Sequence, residues 1–212
     1  NPSAITQGTS ANNFIPNVAG STIANNLLLS QIALFRYSFG TRYTLTASFR
    51  RDGSSQVPSN NRYIYLYAFG GKWNILSEHF MDGFRSISTL RLRGSWGLTA
   101  NAGGFSSDYG YRTLYGLSNY SGNTALVPQT PGNPGYNWEY NRTGDIGLEY
   151  GLLHNRIYGE IDWYNRVTNN LFVNKNLSLT SGWSSVAANL GKVRNSGVEL
   201  AINGDLIKRT DL

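Results

Sequence analysis

The chain has 212 residues, 18 of them Lys or Arg against 12 Asp or Glu, for a formal net charge of +6. Only 14% of it is charged, below the roughly 25% usual for a soluble globular domain, while Gly reaches 24 residues and aromatics 13%. Cys is absent. This excludes a disulfide scaffold, a Cys-based metal site and a thiol enzyme, and the wealth of aromatic and aliphatic residues argues against disorder.

As a soluble protein this length would give one domain or two small ones. No run of about 18 apolar residues predicts a membrane-spanning helix; the longest apolar stretch, Leu27–Phe35, is broken by Ser30 and Gln31. Asn1-Pro2-Ser3 does not open a signal peptide, which needs a basic start and an apolar run. The chain therefore reads as mature or as a piece of something longer.

Along the chain, the dominant period is two. After a loop or strand lead-in over 1–24, strands are predicted near 25–38 and 42–51. In the second, Tyr43, Leu45, Ala47 and Phe49 alternate with Arg42, Thr44, Thr46, Ser48 and Arg50. Strands near 62–76 and 87–99 follow; in the latter Leu90, Leu92, Gly94, Trp96 and Leu98 oppose Arg91, Arg93, Ser95, Gly97 and Thr99. Near 143–153, Ile146, Leu148 and Tyr150 oppose Asp145, Gly147 and Glu149. Near 156–167, Ile157, Gly159, Ile161 and Trp163 oppose Tyr158, Glu160, Asp162 and Tyr164. The last strand, near 195–207, alternates Val198, Leu200 and Ile202 with Glu199, Ala201 and Asn203. Strict alternation predicts strands with one apolar and one polar face. At about ten residues or more they exceed the roughly five or six of ordinary strands and match the nine to eleven that cross a bilayer.

The connections alternate in length. Phe39–Thr41 and His154–Asn155 are tight, Asp52–Asn61 is longer and Ala100–Arg142 very long, as in an outer-membrane barrel with short periplasmic turns and long extracellular loops. Leu76–Ser86 is the exception, medium-length where a short turn is due. Tyr63, Tyr65, Trp73, Trp163 and Tyr164 near strand ends read as interfacial girdles. A soluble sandwich or propeller would need shorter strands and more charge, and no repeat of roughly 40–50 residues is present. The fold class is all-β: an antiparallel transmembrane β-barrel segment.

Several segments carry a family resemblance. Thr44-Leu45-Thr46-Ala47-Ser48-Phe49-Arg50-Arg51-Asp52-Gly53-Ser54-Ser55 resembles a hallmark stretch of the SusC/RagA-type TonB-linked outer-membrane transporters. Leu90–Asn101 resembles the family's next strand and loop start. Asn133-Pro134, Trp138-Glu139, Ile146–Gly151, Asn155-Arg156, Ile161–Asn165 and Asn189–Leu200 continue the series in order, so the resemblance covers about residues 29–207. It implies seven long strands of a barrel of about 22, with a plug inside. It implies import of oligosaccharides or peptides, a SusD-like surface lipoprotein as a lid, and energy from the TonB complex acting on the plug. Plug and TonB-contacting box are not in this chain, and the chain stops just past a strand, with 208–212 reading as a truncated periplasmic turn. An unclosed wall would leave strand edges unpaired in hydrocarbon, so the chain reads as a fragment of the barrel's C-terminal half, in the bacterial outer membrane against lipid.

Because Arg or Lys at the lipid midplane costs roughly 2–4 kcal/mol, Arg42, Lys72, Arg91, Arg93, Asp145, Glu149, Glu160, Asp162 and Glu199 are assigned to the lumen. They would dock a plug, guide solute or simply be solvated. In the long loop, Tyr109, Tyr111, Tyr115, Tyr120, Tyr136 and Trp138 are candidate ligand-binding residues, since rigid rings stack on sugars at low entropic cost; contact with the lid and self-packing are equal alternatives. No catalytic residues, metal ligands or cofactors are expected. His79 and His154 lie in separate turns outside any ligand spacing, and Glu160 and Asp162 lack the opposed cleft a glycosidase needs. Dispersed basic residues argue against nucleic-acid binding. Two other functions stay open: a non-transporting SusC-like component of a surface assembly, and a small outer-membrane barrel enzyme.

Overall fold

The structure is a computed structural model, described here for residues 25–101, 103–105, 107–120 and 123–205, with the backbone of 5–6 and 17–18. Its strands are β1 (Ile5–Thr6), β2 (Asn17–Val18), β3 (Leu28–Phe39), β4 (Tyr43–Ser54), β5 (Tyr63–Asn74), β6 (Ile87–Ala100), β7 (Leu114–Tyr120), β8 (Asn123–Thr130), β9 (Tyr140–Leu152), β10 (Ile157–Asn176) and β11 (Ser185–Gly204). Seven of them form one antiparallel sheet in the order β11-β10-β9-β6-β5-β4-β3. These are the seven strands expected from period-two alternation. β1 pairs with β2, and β7 with β8. Among the described residues neither edge strand of the large sheet, β3 or β11, has a further partner.

Register decides the faces, because directly paired residues point to the same side. One row runs Trp73, Leu92, Leu148, Ile161, Leu200 across five strands. The next outward row runs Gly71, Gly94, Ile146, Trp163, Val198. This face is apolar and open: Phe35, Tyr37, Leu45, Phe69, Ile146, Val198 and Leu200 are all exposed, Val198 at 67%. So many exposed large apolar side chains on one continuous face are not the surface of a soluble monomer. Among the described residues no second layer of protein covers it, as a lipid-facing wall requires.

Three differences from expectation have physical causes. First, β10 and β11 are longer than predicted and are joined by residues 177–184 alone. The alternation breaks at a bulge, where Asn170 takes φ 57° and the register slips between Asn169 and Phe172; an extra residue in one strand inverts the face pattern beyond it. Second, the long loop holds two strands of its own, β7 and β8, paired antiparallel. Third, Tyr164 pairs with Asp145 and Gly197, which places it on the polar face rather than in an outward aromatic girdle.

The medium-length turn 75–86 is explained by docking. It holds two short 3-10 turns, Ile75–Ser77 and His79–Met81. Between them Glu78 accepts hydrogen bonds from Tyr43 Oη at 2.6 Å and Trp73 Nε1 at 3.0 Å, under stacked rings 6.3 Å apart. Arg42 lies 3.7 Å from the same carboxylate. Tyr43 and Trp73 donate to Glu78, and with Arg42 hold its carboxyl below the usual carboxylate range.

Candidate functional site

The polar face carries a charge network built row by row. Lys72 pairs with Arg93 in register, Asn74 with Arg91, Arg91 with Glu149, and Glu149 with Glu160. Arg93, Gly147 and Asp162 form one row across β6, β9 and β10. Arg93 therefore reaches Asp162 over the intervening strand. Its Nη2 donates to Asp162 Oδ2 at 2.7 Å and Oδ1 at 2.8 Å, and to Glu160 Oε2 at 3.0 Å. Its Nη1 lies 3.7 Å from Glu149 Oε1. Glu149 also receives Arg91 at 3.3 Å and Lys72 at 3.9 Å.

Gly147 is the residue that allows the crossing. A Cβ there would collide with Asp162 Oδ1 and with Arg93 Nε. The absence of a side chain on β9 leaves the gap through which β6 and β10 exchange charge-assisted bonds.

All nine charges assigned from the sequence fall on this polar side or at its turn end, but they do different things. Lys72, Arg91, Arg93, Glu149, Glu160 and Asp162 form the network. Asp145 accepts from Ser95 Oγ. Glu199 faces Asp162 in register, a like-charge pair. Arg42 sits at the opposite end of β4's turn, tied to Glu78 and to His79 Nε2 at 3.4 Å. Arg50 and Asp52, which form an ion pair at 2.9 Å on the same face, were not singled out from the sequence although Arg50 shares the alternation of Arg42.

At the long-loop end the six aromatic candidates divide. Tyr136 and Trp138 are buried, at 0% and 1% exposure. They pack with Phe105 and Phe172, Tyr136 to Phe172 at 4.6 Å between centroids and Phe105 to Trp138 at 5.1 Å. Trp138 Nε1 donates to the carbonyls of Asn61 and Arg62 at 3.1 and 3.3 Å. Of the three roles weighed for these two rings, the geometry is that of self-packing, because neither has a free face to stack on a sugar. Tyr109 and Tyr115 are exposed, Tyr111 half-buried. The side chain of Tyr120 lies outside the described residues.

A set of asparagines completes this cluster; Asn189 opens one of the resembling segments, but nothing in the sequence tied it to Asn137 or Asn170. Asn189 Nδ2 donates to the carbonyls of Asn137 at 2.8 Å and Asn170 at 2.9 Å, and its Oδ1 accepts from Asn137 N at 2.8 Å. Asn170 Nδ2 donates to Trp138 O at 3.3 Å. The bulge of β10 and the start of β9 are thus bonded through side-chain amides, which satisfies backbone groups that the irregular ladder leaves over.

A two-faced sheet of long strands, with short turns at one end and folded loops at the other, is the wall of a membrane barrel. The sequence matches the family described as TonB dependent receptor-like, beta-barrel over residues 3–210. The chain belongs to this family. SusC of Bacteroides thetaiotaomicron, a TonB-dependent receptor, is 31% identical over 194 residues, which is 88% of this chain and 19% of SusC. A TonB-dependent receptor of Formosa agariphila is 30% identical over 208 residues, 92% of this chain and 21% of the relative. Among solved structures, the RagAB peptide importer in the "open-open" state matches with a TM-score of 0.81 and 30% identity, covering 93% of this chain and 22% of that one. In the "closed-closed" state it matches with a TM-score of 0.78 and 32% identity, covering 87% and 20%. The chain thus spans about a fifth of the length of the relatives it matches. This TonB-dependent receptor barrel segment resides in the outer membrane, with its apolar face against lipid.

Proposed function

We propose that the segment is part of the wall of a TonB-dependent importer of oligosaccharides or peptides. The observation that carries the reading is the polar face: a network of carboxylates and cations spanning four strands, back to back with an apolar face. In a closed barrel of about 22 strands this face lines a lumen wide enough for a plug. The paired charges make a rigid, hydrated wall rather than a convergent reactive set, which favours transport over bond chemistry. The plug would rest against this wall, and the TonB complex would displace it. A SusD-like lipoprotein would cover the loop end, and the exposed Tyr109 and Tyr115 are positioned to meet cargo or that lid. Tyr136 and Trp138 would serve indirectly, by fixing the base of the loop.

Deletion of the full gene tests the reading. Uptake of, and growth on, at least one oligosaccharide or peptide pool should fall, and restoration of the gene should return it. Unchanged uptake across both substrate classes would overturn the transport reading and favour a structural component of a surface assembly.

A further inference from the structure

The outward face is asymmetric in charge. Along the paired lengths of the seven strands, no described outward position holds Asp or Glu. Up to the bulge of β10 the cations on that face are Arg51, Arg142, Lys192 and Arg194, and all four lie towards the loop end. Three of them form a group. Arg142 on β9, Val167 on β10 and Arg194 on β11 occupy one row, and Lys192 lies one outward step beyond Arg194. Neighbouring strands are ~4.8 Å apart and alternate residues ~6.8 Å, so the three backbone positions fall within ~10–12 Å of one another. Arg142, Lys192 and Arg194 are exposed, and none of them makes an ion pair among the described residues. Val167 between the two arginines is only 8% exposed, whereas Trp163 further along the same outward face of β10 is 47% exposed. Long arginine stems lying over a small apolar residue, with their heads free, give that contrast.

The height of the group fits a headgroup layer. Eight residue steps separate outward Gly144 from outward Leu152 on β9, ~27 Å along the strand and ~21 Å of height at a tilt of ~40°. An apolar band is ~25 Å tall, so Arg142 stands at its outer border. The counterpart on β4 is Arg51, whose guanidinium lies 4.0 Å from the Tyr63 ring centroid, just beyond outward Phe49. At the turn end the same face has no cation among its paired positions.

We infer that Arg142, Lys192 and Arg194 form a binding site for the phosphate groups of outer-leaflet lipid. Arginine forks match phosphate oxygens bidentately, and a cluster of free cations without a neighbouring carboxylate gives a phosphate no competing repulsion. The site is independent of cargo: it lies on the opposite side of the wall from the charge network.

Native mass spectrometry of the full-length receptor tests it, with phosphorylated lipid A and its dephosphorylated form as the probes. The wild type should retain the phosphorylated lipid ~10–100-fold more tightly than the dephosphorylated one, as three cations near an anionic headgroup predict. The R142Q/K192Q/R194Q variant should lose that preference while keeping the heat-dependent gel migration of a folded barrel. Arg166→Gln is the control, because Arg166 pairs with Thr143 and Asn195 at the same height on the inward face; it should keep the preference. Equal retention of both lipids by the wild type, or an undiminished preference in the triple variant, would overturn the site. Loss of a co-purifying lipoprotein from the triple variant, with lipid preference intact, would also overturn it and assign the cations to a protein partner.

Discussion

At the scale of a single residue, Gly147 shows how a missing side chain positions chemistry. Arg93 and Asp162 stand two strands apart, and only the absence of a Cβ on β9 lets them meet. Gly147→Ala forces the fork apart or the backbone to shift, and such overpacking costs about 1–3 kcal/mol. In the full-length receptor this should lower the denaturant midpoint for loss of heat-modifiable migration. If the cost comes from the fork, combining Gly147→Ala with Arg93→Gln should destabilise less than the sum of the two, because the second change removes what the first disturbs. Strict additivity would show that Gly147 acts elsewhere. The sequence placed Arg93 and Asp162 on the polar face through alternation alone. It did not show them bonded, because the register of β6 on β9 is set by pairings 40 to 65 residues apart. The three roles weighed for Tyr136 and Trp138 could not be separated in the sequence for the same reason: their packing partners Phe105 and Phe172 are remote in sequence, so exposed and buried rings look alike in a loop rich in Gly, Ser and Asn.

At the scale of elements, strand identity and facing were legible wherever one face meets lipid and the other water. They became illegible where that contrast stops. Beyond Asn169 the alternation stops: Leu171, Phe172 and Val173 follow one another as an unbroken apolar run, and a bulge at Asn170 breaks the period. The turn 75–86 was likewise unreadable as a docked unit, since its anchor is one carboxylate, Glu78. That anchor gives a pH dependence with a definite sign. The folded-state pKa of Glu78 is depressed, so its contribution to docking is fully present above the ordinary carboxylate pKa. It is lost as pH falls through the depressed folded value. Hydrogen-exchange protection of residues 75–86, measured in the full-length receptor, should therefore hold at neutral pH and decline in acid. Glu78→Gln should reduce protection at neutral pH and flatten the acid decline. A variant as protected as the wild type at neutral pH would show that the turn is held by its 3-10 backbone bonds instead.

At the scale of the molecule, the low charged fraction and the open apolar face have one explanation, which is that lipid replaces the second layer a soluble sheet would need. The same contrast predicts how substitutions divide by parity. Ile161 lies in the outward row with Leu148 and Leu200, and Glu160 beside it points inward. Ile161→Arg places a guanidinium near mid-band, where it costs about 2–4 kcal/mol. The neighbouring Glu160→Gln removes one of several carboxylates around Arg93 and leaves Asp162 and Glu149 in place, so its cost should stay within about 1 kcal/mol. Denaturant titration of the full-length receptor in lipid vesicles should show this inequality between adjacent residues. The discriminating case is the same pair of variants in detergent micelles. A micelle presents a thinner, more deformable apolar layer, so the penalty of Ile161→Arg should shrink while that of Glu160→Gln stays. If the Ile161→Arg penalty were as large in micelles as in vesicles, the outward face would be packed against protein, and its apolar rows would mark a contact between polypeptides rather than a surface for lipid.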